Sequence, residues 1–285
     1  GTAAGLSGVN PDTAECIADV FTIDLDKLEA TGAGEGFFPP FLRLGDALLF
    51  SPHAVKRTMP ERNLLYTIAR TDETKLSNVV SKHLEPALIQ DAAQFLKTIP
   101  GVEVRKNVNW ERGELDLLAY HEASNTAFQV QAKAGVPPQG ARMVGQVESR
   151  TLEAVNQIRR FLDLRPEERD EICSSAIGRE VSGVVWSSGI LVRTCLGTEK
   201  AWDALNDCVP LNLVLLSLAI NRLSEVDDFT FASINDAVET ELSTLRAAAV
   251  RGWENKSFTL FGEKIELPLL KLDYTEIAAF RNRAT

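Results

Sequence analysis

The chain has few of the residues that build zinc sites and disulfide scaffolds. Its 285 residues include 4 cysteines, without a Cys-x-x-Cys spacing, and 3 histidines. These numbers argue against a zinc site. Cysteines scattered through a chain of this length, at Cys16, Cys173, Cys195 and Cys208, are typical of reduced thiols in an intracellular protein, so we predict a cytoplasmic location.

Long hydrophobic runs are also missing. The apolar stretch over residues 209–220 is too short to cross a bilayer and is interrupted by Pro210, Asn212 and Ser217. No basic-then-apolar leader opens the chain, and no internal repeat or low-complexity tract is evident. We therefore expect no membrane association. The chain starts at Gly1 without a methionine, which suggests either processing or a shortened sequence with residues missing before Gly1.

The chain has no excess of positive charge. It contains 40 acidic and 30 basic residues, which gives a formal net charge of −10. Nucleic-acid binders usually carry a basic surface, because contacts to phosphates dominate their affinity. Composition alone therefore argues against a nucleic-acid partner. The hydrophobic fraction of 45% and charged fraction of 25% exclude wholesale disorder, and the length suits one elaborated domain or two.

Two short polar strings stand out from this background, at residues 113–116 and 131–133. The first reads Gly-Glu-Leu-Asp and the second Gln-Ala-Lys. Each lies in a predicted β-strand, over residues 113–120 and 126–134. The polar, Asn-containing segment 121–125 between them is typical of a hairpin turn.

The alternation of side chains along these strands gathers four polar groups. Glu114 and Asp116 share one face of the first strand, and Gln131 and Lys133 share one face of the second. A turn centred between residues 123 and 124 places Asp116 opposite Gln131 and Glu114 opposite Lys133. The side chains predicted to face the core are those of Leu115, Leu117, Val130 and Ala132.

This patch has the groups that phosphodiester hydrolysis needs. A hard divalent cation such as Mg²⁺ prefers carboxylate and carbonyl oxygens, which Asp116 and the Gln131 side chain can supply. A compact cation such as Lys133 can hold a phosphate oxygen or orient the attacking water. The four residues therefore indicate a metal-and-phosphate site.

Asp116 followed by Gln131-x-Lys133 across a hairpin resembles the PD-(D/E)XK nuclease superfamily. The Gln-x-Lys variant within residues 128–134 is most similar to the Mrr-type restriction endonucleases. Leu115 stands where the superfamily name has proline, and Gln131 replaces the usual acid, which removes one negative charge from the metal site. The resemblance implies a Mg²⁺- or Mn²⁺-dependent nuclease of restriction, defence or repair type that acts on DNA.

The family core runs helix, three-stranded meander, helix, strand, and often a further helix and strand. Sequence periodicity predicts this order around the motif. The resemblance therefore implies an α/β fold with a restriction-endonuclease-like core over about residues 75–225. The predicted elements besides the two motif strands are a helix over 76–97 that Pro86 kinks or divides, a strand over 102–108, a helix over 144–164, a strand over 181–186, a helix over 199–206 and a strand over 211–216.

Three regions are predicted along the chain. Residues 1–74 form an N-terminal accessory region with a possible hairpin around residues 42–50. Residues 75–226 form the nuclease-like domain. Residues 227–285 form a C-terminal extension, in which a helix over 233–250 leads into a hairpin that turns about Gly262.

The resemblance extends the predicted site beyond the hairpin. It implies that Glu85 on the first helix joins Asp116 and Gln131 as a metal ligand, with Lys133 completing the catalytic set. Possible additional acids are Glu114 and Glu148. Candidate nucleic-acid contacts on the long helix are Arg150, Gln157, Arg159 and Arg160. The objection from net charge is softened by the basic residues in or beside the site segments, which are Arg105, Lys106, Arg112, Lys133, Arg142, Arg150, Arg159 and Arg160.

Other interpretations stay open. Asp116 and Lys133 also fit an exposed cross-strand ion pair, Glu85 fits a surface acid, and the long helix fits a solvated face. The alternative function is a catalytically weak module of the same fold, which binds nucleic acid or a protein partner. A homodimer or a subunit of a larger assembly is compatible with either function.

Overall fold

The computed structural model describes residues 19, 22–26, 41–50, 73–135, 137–138, 141–193, 195–206, 208–223, 228–260 and 262–283. The chain divides into two compact units. The first comprises Gly1–Pro86 and Ala134–Ser149, and the second comprises Ala87–Lys133 and Arg150–Thr285. The three-region division at residues 74 and 226 stays a prediction. Among the described helices, none has the length and apolar character of a membrane span.

The first unit contains a small three-stranded sheet of order β1-β2-β3. Its strands are β1 (Thr22–Asp24), β2 (Phe41–Leu44) and β3 (Ala47–Phe50). β1 runs parallel to β2, and β2 and β3 form the antiparallel hairpin predicted around residues 42–50. The turn is possible because Gly45 adopts a φ of +56°, a left-handed conformation that costs glycine little.

The predicted first helix is present in three consecutive segments. α1 spans Glu73–Val79, a π-helical turn spans Val80–Leu84, and α2 spans Glu85–Leu96. Pro86 explains the division, because proline lacks an N–H and its ring crowds the carbonyl four residues earlier. The wider π turn accommodates it, with the Glu85 N–H donating to the Val80 carbonyl.

The second unit is built on a mixed five-stranded sheet of order β4-β5-β6-β7-β8. The first three strands form an antiparallel meander, and the last two are added in parallel. Alternating strands and helices thus give a mixed α/β fold with a central sheet. The strands are β4 (Val102–Trp110), β5 (Gly113–His121), β6 (Thr126–Lys133), β7 (Val185–Val192) and β8 (Val209–Leu211).

Helices connect and follow these strands. The helices after α2 are α3 (Ala141–Leu162), α4 (Pro166–Ile177), α5 (Glu199–Asp203), α6 (Leu213–Leu223), α7 (Ala232–Ala249) and α8 (Tyr274–Asn282). Of these, α3, α5 and α7 match predicted helices, although their bounds differ by a few residues. α4 and α8 were not predicted.

Two strand predictions are wrong in position. The strand predicted over 181–186 begins only at Val185, because the Asp170 carboxylate accepts the N–H groups of Gly183 and Val184 and holds that segment as a loop. The strand predicted over 211–216 ends at Leu211. There the Asn212 side chain accepts the Leu215 N–H, as a helix N-cap does, and α6 begins.

Two hydrophobic clusters join the sheet of the second unit to α3. One cluster joins Ile158 of α3 to Ile190 of β7. Another joins Leu118 of β5 to Phe161 of α3 and to Cys173 of α4. Burial raises the pKa of the Cys173 thiol to about 12, so this cysteine is a packing residue rather than a nucleophile.

The predicted C-terminal hairpin about Gly262 is confirmed. β9 (Val250–Leu260) and β10 (Glu263–Leu272) pair antiparallel in a two-stranded sheet. Gly262 adopts a φ of +84° in the turn.

Candidate active site

The predicted register of the motif hairpin is confirmed. β5 and β6 pair from His121 opposite Thr126 to Leu117 opposite Val130. Continued by one residue, this register places Asp116 opposite Gln131, as the alternation of side chains predicts. The turn residue Asn125 has a φ of +48°, a conformation that asparagine tolerates better than most residues.

The backbone ladder between β5 and β6 ends at Leu117 and Val130, and side chains replace it at the next residues. The Gln131 amide nitrogen donates to the Glu114 carbonyl oxygen at 2.7 Å. The Ala132 N–H donates to the Asp116 carboxylate at 2.7 Å. Each strand thus bonds the backbone of the other through a side chain. We call these two contacts the crossed hydrogen bonds.

The crossed hydrogen bonds also orient the Gln131 amide. A carbonyl accepts only from a donor, so the amide nitrogen faces Glu114. The amide oxygen Oε1 is consequently turned away from that carbonyl. This orientation suits the predicted role of Gln131 as a neutral oxygen ligand.

β4 is distorted at the position beside Asp116. Lys106 pairs with Leu117 and Val108 pairs with Leu115, so Asn107 lies opposite Asp116 in register. Asn107 has a φ of +54°, which is unusual within a strand. The sequence analysis missed this residue, although an asparagine between two valine-containing segments of a strand is a signal for a local break.

Burial differs among the residues of the motif strands. The predicted core residues Leu115, Leu117, Val130 and Ala132 are all buried, which confirms that prediction. On the polar side, Asp116 and Lys133 are half-buried and Glu114 is exposed, whereas Gln131 is only 1% exposed.

Opposing influences act on the charge of Asp116. Burial raises the pKa of its carboxyl above the ordinary value, and the negative charge of Glu114 adds to this rise. The hydrogen bond from the Ala132 N–H and the positive charge of Lys133 lower the pKa, but they do not cancel the effect of burial. The carboxylate is therefore a partly desolvated anion that would gain from a neighbouring cation.

The oxygen atoms available at this site are of the type that a hard cation prefers. The donor set comprises the Asp116 carboxylate, the Gln131 amide oxygen and the nearby acid Glu114, all of which are oxygen donors. Among the described residues, no group of three or more histidine, cysteine, aspartate or glutamate side chains is placed to hold a metal. Mg²⁺ commonly uses one or two carboxylates together with water and substrate phosphates, so this short protein donor set is compatible with it.

Two predicted acids belong to the other compact unit. Glu85 is the first residue of α2, and Glu148 lies on α3. Both are half-buried residues of the first unit, whereas Asp116, Gln131 and Lys133 belong to the second. The metal roles of Glu85 and Glu148 stay predictions from the sequence.

The predicted nucleic-acid contacts all lie on α3. Arg159 and Arg160 are exposed, and Arg150 and Gln157 are half-buried. Arg159 also donates to the Ala204 carbonyl at 3.0 Å, so it ties α3 to the end of α5. The Gln157 Oε1 atom is buried without a hydrogen-bond partner in the described part of the chain. Their contact with nucleic acid stays a prediction.

Comparisons with known proteins give limited similarity. No protein-family model matches the chain, and no curated protein matches it by sequence. Among solved structures, the chain is similar to the restriction endonuclease FokI, with a TM-score of 0.31 and 14% sequence identity. The aligned region covers 68% of this chain and 34% of that one, so this chain spans about a third of its length.

Proposed function

We propose that this chain is a nuclease that hydrolyses phosphodiester bonds of DNA with the help of Mg²⁺ or Mn²⁺. The crossed hydrogen bonds carry the proposal. They fix a partly desolvated carboxylate, Asp116, opposite the buried amide of Gln131, whose oxygen is turned away from the Glu114 carbonyl. Gln131 lies on the strand that also bears Lys133. If Asp116 and Lys133 formed only an exposed cross-strand ion pair, the structure would need neither the buried Gln131 amide nor the end of the backbone ladder at Leu117 and Val130.

Asp116 and the Gln131 amide oxygen would hold the cation. When bound, the cation polarises the phosphodiester and supplies an activated water. The raised pKa of Asp116 supports this role, because a carboxylate that has lost hydration is stabilised strongly by an adjacent positive charge. Glu114 adds negative charge at the same place. Glu85 remains a further ligand that the family resemblance implies.

Lys133 acts on the substrate. Its ammonium group already lies close enough to influence the Asp116 carboxyl. A flexible point charge at this position can donate a hydrogen bond to a phosphate oxygen or to the attacking water, and so stabilises the charge that develops in the transition state. The partial burial of Lys133 strengthens that interaction relative to one in water.

Cleavage assays test this function directly. Supercoiled plasmid and single-stranded DNA are incubated with the parent, with Asp116→Asn and with Lys133→Met, in Mg²⁺, Mn²⁺ or EDTA. We expect metal-dependent cleavage by the parent and a loss of about a hundredfold or more in each variant. Matched controls are Asp163→Asn and Lys97→Met, which change exposed residues away from the hairpin. Equal activity in the parent and both site variants would overturn the proposal.

A second candidate is a nucleic-acid-binding module with a weakened metal site. Its supporting observation is the neutral Gln131 together with the absence of a three-acid group among the described residues. Calorimetric titration with Mn²⁺ separates the two functions. Absence of binding at millimolar Mn²⁺, with DNA binding retained, supports the module. Binding that Asp116→Asn abolishes supports the nuclease.

A further inference from the structure

The C-terminal hairpin leaves much of its surface uncovered. Within the described residues its sheet contains only β9 and β10, and every β10 residue from Glu263 to Lys271 is exposed. Trp253 is 72% exposed and Phe258 is 46% exposed. A two-stranded hairpin is marginally stable by itself in water, so an additional strand would stabilise it.

The two edges of this hairpin differ in their capacity to accept a strand. β10 contains Pro268 near its middle, and proline blocks strand addition because it has no N–H to offer. β9 contains no proline from Val250 to Leu260. The β9 edge is therefore the one that can accept another strand.

Pro268 also shows which β9 groups point outward. It pairs with Asn255, and proline fits a ladder where no N–H is needed. The Asn255–Pro268 pair is thus of the non-hydrogen-bonded type, and the N–H and C=O of Asn255 point to the free edge. By alternation, the backbone groups of Trp253 and Ser257 also point outward.

We propose that β9 pairs antiparallel with β9 of a second copy of this chain, about a two-fold axis at Asn255. In this register Glu254 of each copy lies opposite Lys256 of the other, so the interface contains two symmetry-related opposite-charge pairs. Such an isologous contact is self-complementary and closes as a dimer. The result is a continuous four-stranded sheet across two chains.

Charge selects this register over its neighbours. Moving the axis by one residue along β9 places Glu254 opposite Glu254 of the second copy, or Lys256 opposite Lys256. Either arrangement sets like charges face to face, which is unfavourable. The axis at Asn255 is therefore the register that the β9 sequence favours.

Charge reversal tests the proposed dimer. Sedimentation velocity over a dilution series should show the parent passing from one chain to two as concentration rises. Glu254→Lys and Lys256→Glu should each weaken dimerisation by about tenfold or more, because each creates two like-charge contacts per dimer. An equimolar mixture of these two variants should recover the parent's dimerisation, and the double variant should recover it as well.

The charge variants should keep their fold. The ion pair between Lys256 and Glu254 within one chain spans 3.5 Å on an exposed surface and contributes little. Failure of the mixture and of the double variant to recover dimerisation would overturn the proposed register.

A backbone variant tests the edge independently. Asn255→Pro removes an outward N–H without removing a hydrogen bond within the hairpin, and it should abolish dimerisation. The matched control is Glu266→Pro, which makes the same change on the β10 edge and should leave dimerisation unchanged. A parent that stays monomeric at all concentrations, a dimer that survives Asn255→Pro, or equal loss in both proline variants would overturn the proposal.

Discussion

Burial and hydrogen bonding shift the pKa of the Asp116 carboxyl in opposite directions. Its folded pKa is raised, with burial as the largest cause. The folded protein therefore favours the protonated form of this carboxyl. The resulting contribution to the free energy of unfolding is fully present below the unfolded pKa and is lost as pH rises through the folded pKa. At neutral pH the ionised carboxylate is a cost to the fold, which a functional cation site would explain.

The first prediction concerns the charge of Asp116. Asp116→Asn keeps an oxygen that accepts the Ala132 N–H but carries no charge. We expect the variant to be more stable than the parent at pH 7, with a difference that shrinks as pH falls toward about 4. Urea unfolding from pH 4 to pH 8 measures this difference. A variant that is less stable than the parent at every pH would contradict the account.

Gln131 gives a second prediction. Gln131→Glu removes the donor to the Glu114 carbonyl, which should reduce the free energy of unfolding by about 1–3 kcal/mol without metal. The added carboxylate should at the same time tighten Mn²⁺ binding. Unfolding with and without Mn²⁺ measures both effects, and Gln129→Glu on the same strand serves as a control. Unchanged or weaker Mn²⁺ binding would count against Gln131 as a ligand position.

The positions of some site residues relative to one another were predictable from the sequence. Alternation and turn length are enough to place Asp116 opposite Gln131, because the register of a short hairpin follows from its turn. The crossed hydrogen bonds were not predictable. They depend on where the backbone ladder between β5 and β6 stops, which is beside the distortion of the neighbouring strand at Asn107, and on which groups then lack partners.

At the scale of elements, β4 is distorted beside the hairpin that bears the site. The third prediction replaces Asn107, which is exposed and has a φ of +54°. Asn107→Val should cost about 1–2 kcal/mol of stability, because a β-branched residue is strained in this conformation. It should also weaken Mn²⁺ binding by shifting the neighbouring Asp116. Asn107→Gly tolerates the conformation and should stay close to the parent in both respects.

Denaturant unfolding and Mn²⁺ titration of the two Asn107 variants provide the measurement. If valine and glycine behave alike, the backbone conformation at this position is not what shapes the site.

Helices and strands with a clear hydrophobic periodicity were predictable from the sequence. Those that are short, or whose first turn is highly charged, were not. The alternating motif strands and the long helices follow from their patterns. α6 was mistaken for a strand because a short apolar run has no distinguishing period. α4 was missed because its first turn is highly charged, although Pro166 and the glutamates after it are an N-terminal helix signal.

At the scale of the whole molecule, the net charge of −10 constrains the proposed binding of DNA. The proposal therefore requires local basic residues as phosphate contacts, among them the exposed Arg160 of α3. The fourth prediction is that Arg160→Ala weakens binding of duplex DNA similarly for unrelated sequences. It should also reduce the salt dependence of the affinity by about one unit of slope.

Fluorescence anisotropy at several salt concentrations, without Mg²⁺ or Mn²⁺, measures this effect. Lys97→Ala removes an equal charge from the end of α2 and should leave the slope unchanged. If both variants lower the slope equally, DNA binding reflects overall charge rather than α3.

The central claim is that Asp116 and Gln131 together hold a divalent cation. Crystals of the protein soaked in Mn²⁺ and measured near the manganese absorption edge test it most directly. We expect an anomalous peak bonded to a carboxylate oxygen of Asp116 and to Oε1 of Gln131, and loss of that peak in Asp116→Asn. A peak elsewhere, no peak at millimolar Mn²⁺, or one that persists in the variant would contradict it.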